Sequence, residues 1–108
     1  MDGLAIRVPT PNVSLIDLSV EVDQSCKATQ VNEAFAKAAD GPLKGILGYS
    51  EAPIVSIDLN GSAYSATVDS LLTTVLQDRF VKVFAWYDNE WGYSCRLRDV
   101  VKFLATKG

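Results

Sequence analysis

Apolar and polar residues alternate along the first well-patterned stretch of the chain. Ile16, Leu18, Val20 and Val22 are apolar, and Asp17, Ser19, Glu21 and Asp23 between them are polar. A period of two predicts a β-strand with one buried and one wet face. The period changes over 29–39, where Val31, Ala34, Phe35 and Ala38 fall at i, i+3, i+4 and i+7 and predict an amphipathic helix. Thr29 is its expected N-cap, and Gly41-Pro42 is its expected stop. Short apolar runs predict further strands at 46–47, 54–59, 64–69, 72–76 and 80–86. Asn60-Gly61 reads as the turn of a hairpin between two of them, and Gln77-Asp78 as a second turn. A second helix starts at Glu90 or Ser94 and runs to 106, with Leu97, Val100, Val101 and Leu104 as its stripe. Lys102 and Lys107 lie near its negative end, where the helix dipole favours cations. Ahead of all this, the apolar run 5–8 reads as a strand with Arg7 inside it. It enters Pro9-Thr10-Pro11-Asn12, whose prolines fix an extended turn. The expected architecture is α+β: a mixed, mostly antiparallel sheet of about six strands with two helices packed on one face.

Composition narrows what such a body can do. At 108 residues the natural count is one domain with one modest core, which leaves little room for a cofactor domain beside a substrate domain. Hydrophobic residues make up 48% and charged residues 21%, as in ordinary globular domains. The net charge of −3 and the scattered Lys and Arg residues argue against a surface that neutralises nucleic-acid phosphates. No stretch has the length of a membrane span, and Met1-Asp2-Gly3 opens no signal-peptide pattern. Cys26 and Cys95 are far apart in sequence and form no disulfide framework or zinc knuckle, so a reducing, cytoplasmic setting is expected. The chain has no histidine. That removes the usual general base near neutral pH, the Ser-His and Cys-His nucleophile pairs, and His-based metal sites.

Four features carry candidate chemistry. The glycines of Gly41-Pro42-Leu43-Lys44-Gly45-Ile46-Leu47-Gly48 have neither dinucleotide-loop nor Walker spacing, and a helix precedes them, so they read as a helix stop and turn. Cys95 follows the candidate cap Ser94, yet has no partner that would activate a thiol. Arg7 must either pair with a carboxylate or face a polar cleft, where its planar fork suits phosphate. Trp86-Tyr87-Asp88-Asn89-Glu90-Trp91-Gly92-Tyr93-Ser94 packs aromatics with amide and acid groups at a strand-to-helix junction. It fits either a planar heteroaromatic ligand, with an Asn matching a carboxamide, or an aromatic corner in which Asp88 or Asn89 caps the helix.

Three blocks, in order, carry a resemblance: Ala5-Ile6-Arg7-Val8-Pro9-Thr10-Pro11-Asn12-Val13-Ser14, Gly41-Pro42-Leu43-Lys44-Gly45-Ile46-Leu47-Gly48-Tyr49, and Trp86 to Ser94 as above. Together the chain resembles the C-terminal part of the catalytic domain of glyceraldehyde-3-phosphate dehydrogenase. The resemblance implies a parent enzyme in which a cysteine thiolate attacks the aldehyde, a hydride passes to NAD or NADP, and phosphate releases the acyl group. It implies that Arg7 binds substrate phosphate, that Asn89 binds the nicotinamide carboxamide, and that Tyr93 lines the nicotinamide pocket. It implies a homotetramer, a cytoplasmic enzyme of glycolysis, and a small-molecule substrate rather than nucleic acid or membrane. The family's Rossmann domain and its Ser-Cys-Thr-Thr-Asn nucleophile block have no counterpart in these residues, nor does its activating histidine. Residues 1–108 are therefore expected to form a partial catalytic domain with no catalytic residue and no metal site, inactive alone and binding no cofactor alone. A non-catalytic oligomerisation module derived from that domain, or a segment of the sister enzyme erythrose-4-phosphate dehydrogenase, are the alternatives.

Overall fold

A computed structural model describes residues 1–108. Five strands and two helices form in the order β1 (Ser14–Glu21), α1 (Ala28–Asp40), β2 (Leu47–Ser50), β3 (Ala66–Asp69), β4 (Thr74–Leu76), β5 (Phe80–Tyr87) and α2 (Trp91–Lys107). β5 is the spine of a mixed sheet. It pairs antiparallel with β1 along its whole length, with β3 at one end and with β4 at the other, while β2 lies parallel to β3 at the far edge. The expected α+β class with a mixed, mostly antiparallel sheet is what forms.

The period-2 pattern sets the register. Ile16, Leu18 and Val20 stand opposite Ala85, Val83 and Val81, so apolar side chains from both strands share one face. The core lies at the Val20 end of that face, while Ile16 and Leu18 stay exposed. Val68, Val81 and Val83 are fully buried, and Val31 and Phe35 of α1 pack on them with Val20, Leu47, Tyr49 and Val75. On the opposite face Lys82 reaches Asp17 at 2.7 Å.

Several local expectations change. Residues 5–8 form no strand and are exposed, because no neighbouring strand supplies a ladder for them. Residues 54–59 are not a strand either: a 3-10 turn occupies Ser56–Leu59. Pro53 removes one ladder donor, and the Asp58 carboxylate accepts the Val55 N–H at 2.9 Å, so local side-chain bonding replaces a sheet ladder. Because β2 and β3 run parallel, residues 51–65 must cross over rather than fold back, and a hairpin is excluded. Asn60-Gly61 does turn, as a type II turn with Asn60 at φ −62°, ψ 126° and Gly61 at φ +76°. The Leu72 run splits into a 3-10 turn at Ser70–Leu72 and β4. Gln77 and Asp78, both with positive φ, make the tight β4–β5 hairpin turn.

Helix starts also move. Lys27, not Thr29, precedes α1, and its N–H is capped by the Gln30 side chain at 2.8 Å. Gly41 ends α1 as expected. α2 begins at Trp91, so Ser94 caps nothing and Cys95 lies within the helix, buried and unpaired. Only Gly92 and Cys95 of α2 are buried, and residues 100–108 are all exposed. With residues 1–11 and 100–108 all exposed, the radius of gyration is 15.3 Å, against about 13 Å for a compact domain of this length.

Candidate functional site

The candidate residues gather around the C-terminal end of β5, where the chain passes into α2. Asp88 sits at that junction and is only 5% exposed. One of its oxygens, Oδ1, accepts the Trp91 N–H at 2.9 Å and the Glu90 N–H at 3.1 Å, which caps the first turn of α2. The other, Oδ2, accepts the Gly61 N–H at 2.9 Å and the Asn12 side-chain amide at 2.8 Å. A buried carboxylate with four donors is strongly held in its charged form. Its pKa falls from 3.8 to about 2, chiefly through the Trp91 and Gly61 N–H groups and further through Asn12 and Glu90, against an opposing push from burial. The capping reading of the aromatic cluster is thus realised, with Asp88 as the cap.

Three distant segments meet on this carboxylate: the Pro-rich run, the Asn60-Gly61 turn and the start of α2. Asn12 ties the first two further, donating to Asn60 Oδ1 at 2.6 Å. Between Asn12 and β1 lies Val13, buried and at φ +71°. A β-branched residue in that region is an outlier, costing about 1–3 kcal/mol and kept only where the surroundings over-determine it. Gly92 fixes the approach of α2. A Cβ there would stand 2.5 Å from the Tyr64 carbonyl oxygen, so only glycine lets the helix backbone come this close.

Asn89 lies exposed beside Asp88. Its Oδ1 accepts the Ser14 hydroxyl at 2.8 Å, which orients the amide, while its Nδ2 donors engage no protein group. An oriented amide with free donors suits an acceptor such as a carboxamide carbonyl. Tyr93, one helical turn on, is 68% exposed. Of the remaining aromatics, Trp86 is half-buried and donates to Asp69 Oδ2 at 3.1 Å, whereas Trp91 is exposed. Arg7 is exposed and enters none of the four salt bridges, so of its two sequence-level options the pairing with a carboxylate does not form. Its segment is anchored to the site only downstream, through Asn12, Val13 and Ser14. No three His, Cys, Asp or Glu side chains converge as a metal site.

The sequence singled out Arg7, Asn89 and Tyr93. It did not single out Asn12, Ser14 or Asn60, the polar side chains that join the segments. For Asn12 beside Pro11 and Asn60 beside Gly61 a turn signal was present, and for Ser14 none was; which turn meets which helix depends on the parallel crossover.

Known relatives match this chain in sequence. The family described as glyceraldehyde 3-phosphate dehydrogenase, C-terminal domain, matches residues 1–89. Glyceraldehyde-3-phosphate dehydrogenase 1 of Bacillus cereus is 55% identical over 108 residues, covering 100% of this chain and 32% of the relative. The second such enzyme of Bacillus subtilis is 52% identical over 107 residues, covering 99% of this chain and 32% of its own. A chloroplastic enzyme of Arabidopsis thaliana is 55% identical across 99% of this chain and 24% of its own length. The chain therefore spans about a third or less of these relatives. On this match and on the mixed sheet that carries it, the chain belongs to the C-terminal domain family of glyceraldehyde-3-phosphate dehydrogenases.

Proposed function

We propose that this chain is the binding part, without the reacting part, of an enzyme that oxidises glyceraldehyde 3-phosphate with phosphate uptake, using NAD or NADP. The observation that carries the reading is the joining of the Arg7 segment and Asn89 at one corner by Asn12, Ser14 and Asp88. In this reading Arg7 binds a phosphate of the substrate, since an exposed guanidinium with no protein partner offers its full planar fork. Asn89 donates to the nicotinamide carboxamide, and Tyr93 flanks the ring. The cofactor supplies hydride acceptance when bound; this chain's residues orient its amide end. Residues 1–108 form a partial catalytic domain that lacks a Rossmann unit. Cys26 and Cys95 are not nucleophiles: Cys95 is buried, and with no histidine in the chain neither has an imidazole base. The relatives include bacterial and chloroplastic enzymes, and no helix is long and apolar enough to cross a membrane. We assign a cytoplasmic setting from the bacterial relatives.

The test is NADH formation, followed by absorbance, with glyceraldehyde 3-phosphate, NAD and phosphate. The chain alone is expected to give no absorbance gain. Mixed with a polypeptide carrying the preceding two-thirds of a bacterial relative, it is expected to give turnover that Arg7→Ala and Asn89→Ala reduce. Turnover by the chain alone, free of contaminating enzyme, contradicts the reading.

A second reading rests on exposed apolar surface. Leu97, Val100, Val101 and Leu104 of α2 are each more than half exposed, and Leu15, Ile16 and Leu18 leave β1 open at the sheet edge. Such surfaces serve assembly. Sedimentation decides between the readings: a discrete dimer or tetramer of the chain alone favours a homo-oligomerising module, and polydisperse species favour the enzyme part.

A further inference from the structure

We propose that Asp88 is a positioning residue whose two oxygens do separate jobs: Oδ1 caps α2, and Oδ2 straps the Pro-rich segment bearing Arg7 to the corner that bears Asn89. The proposal rests on the reading of Arg7 and Asn89 as ligand-facing groups only for its purpose; the strap itself is a matter of geometry.

The division of labour is visible in the bonds. Oδ1 meets only backbone N–H groups of the α2 entry, at Glu90 and Trp91. Oδ2 meets only groups from elsewhere in the chain, the Asn12 amide at 2.8 Å and the Gly61 N–H at 2.9 Å. Residues 1–12 carry no regular secondary structure, and residues 1–11 are exposed. Their one internal backbone bond outside a helix or strand joins Thr10 N–H to the Val8 carbonyl. Asn12 is the first residue of that run whose side chain hydrogen-bonds to the body of the domain. Strain at Val13 points the same way: a buried valine at φ +71° stays there only if both flanks are held, and the Asn12 side chain holds one of them. Removing the Oδ2 acceptor therefore loosens the segment upstream, leaving Asn12 only its bonds to Asn60 Oδ1 at 2.6 Å and from the Asn89 N–H at 3.4 Å, while the helix keeps its cap.

A substitution can split the two jobs. Asp88→Asn keeps a carbonyl oxygen to cap α2 and puts an amide where Oδ2 was, facing the Asn12 amide and the Gly61 N–H as donor against donor. Adding Asn12→Asp restores a donor–acceptor pair across the strap, with its polarity reversed. It does not restore the bond to Gly61. A residue that only caps a helix would show no such rescue from position 12.

The experiment is ¹⁵N relaxation on the full chain, read at the amides of Ala5, Ile6, Arg7, Val8, Thr10 and Asn12, with α2 amides as the internal control. In the unaltered chain Asn12 and Thr10 are expected near the rigid order parameter of about 0.85. In Asp88→Asn they are expected to fall below about 0.6, with the α2 values at Ser94 and Cys95 unchanged. The double variant is expected to recover most of the loss at Asn12 while the Gly61 amide stays altered. Should Asp88→Asn unfold the chain, Asn12→Ala removes the strap from an uncapping position and is expected to show the same loosening. Unchanged order at Thr10 and Asn12 in both single variants overturns the strap, as does a double variant no better than Asp88→Asn. Titration of the same samples with inorganic phosphate keeps the two ideas apart. Phosphate shifts of the Arg7 side-chain Nε–H that weaken several-fold in Asp88→Asn support both. An Arg7 signal that phosphate leaves unmoved in the unaltered chain overturns the phosphate role of Arg7, and the strap is then judged on the relaxation data alone.

Discussion

The two ends of α2 sit in opposite surroundings. At its start, Asp88 collects four hydrogen bonds from three chain segments, Gly92 lies against the Tyr64 carbonyl, and Cys95 is buried. At its end, Val101, Phe103 and Leu104 are all more than half exposed and no other element covers residues 100–108. The same helix thus has an over-determined root and an unsupported tail. Local helix bonds alone are marginal in water over so few turns, so the tail draws its order from the root. The lesson is that polar satisfaction, not apolar burial, organises the candidate site, while the apolar stripe of α2, Leu97, Val100, Val101 and Leu104, stays more than half exposed.

The sharpest way to break the contrast is Asp88→Ala. It strips the acceptor from Asn12, Gly61, Glu90 and Trp91 at once. A loss of about 3 kcal/mol is expected, by analogy with lost caps and orphaned buried donors, read as a lower urea midpoint. Gly92→Ala comes next. Its Cβ would press on the Tyr64 carbonyl oxygen, which is backbone and cannot turn aside, and about 2 kcal/mol of destabilisation is expected in thermal unfolding.

Acid acts on the same corner with a smaller effect. The Asp88 pKa is about 2 when folded and near the ordinary 3.8 when unfolded. A depressed folded value means its contribution is complete above the unfolded pKa and is lost as pH falls from about 4–5 through the folded value near 2. About 1–2 kcal/mol is expected to disappear over that window, measured as the difference between the pH–stability curves of the unaltered chain and Asp88→Asn. Asp99 is lowered in the same direction, by Arg98 first and then Arg96, but it lies on the helix surface. The smallest effect belongs to the tail. Leu104→Lys is expected to change stability by less than about 0.5 kcal/mol, because the side chain is already in water. Its visible effect is expected in sedimentation, as reduced self-association.

The sequence made the strands and helices of the core legible wherever one period ran long enough: Ile16 to Val20 set β1, Val31 and Phe35 set the buried side of α1, and the run at 80–86 set β5. It misled over 54–59, where β-branched residues promised a strand and Pro53 with Asp58 produced a turn. It misled at Asn60-Gly61 for a deeper reason. A turn signal is local, but whether its flanks pair with each other depends on the parallel β2–β3 crossover, a property of the whole sheet. Arg7, Asn89 and Tyr93 stood out by residue type and by resemblance. Asn12 and Ser14 lay inside the same motif, and their roles became visible only when Asp88 and Asn89 came within 3 Å of them. The positive φ of Val13 had no signal in the sequence, since nothing about a valine announces a left-handed backbone.

Native-state hydrogen exchange along α2 tests the contrast most directly. The amides of Trp91 and Gly61, both bonded to Asp88, are expected to exchange only through opening close to the global free energy. Those of residues 101–105 are expected to exchange orders of magnitude faster through local fraying. Equal protection along the whole helix, or a Trp91 amide that exchanges as fast as Leu104, would contradict a site held together by the Asp88 carboxylate.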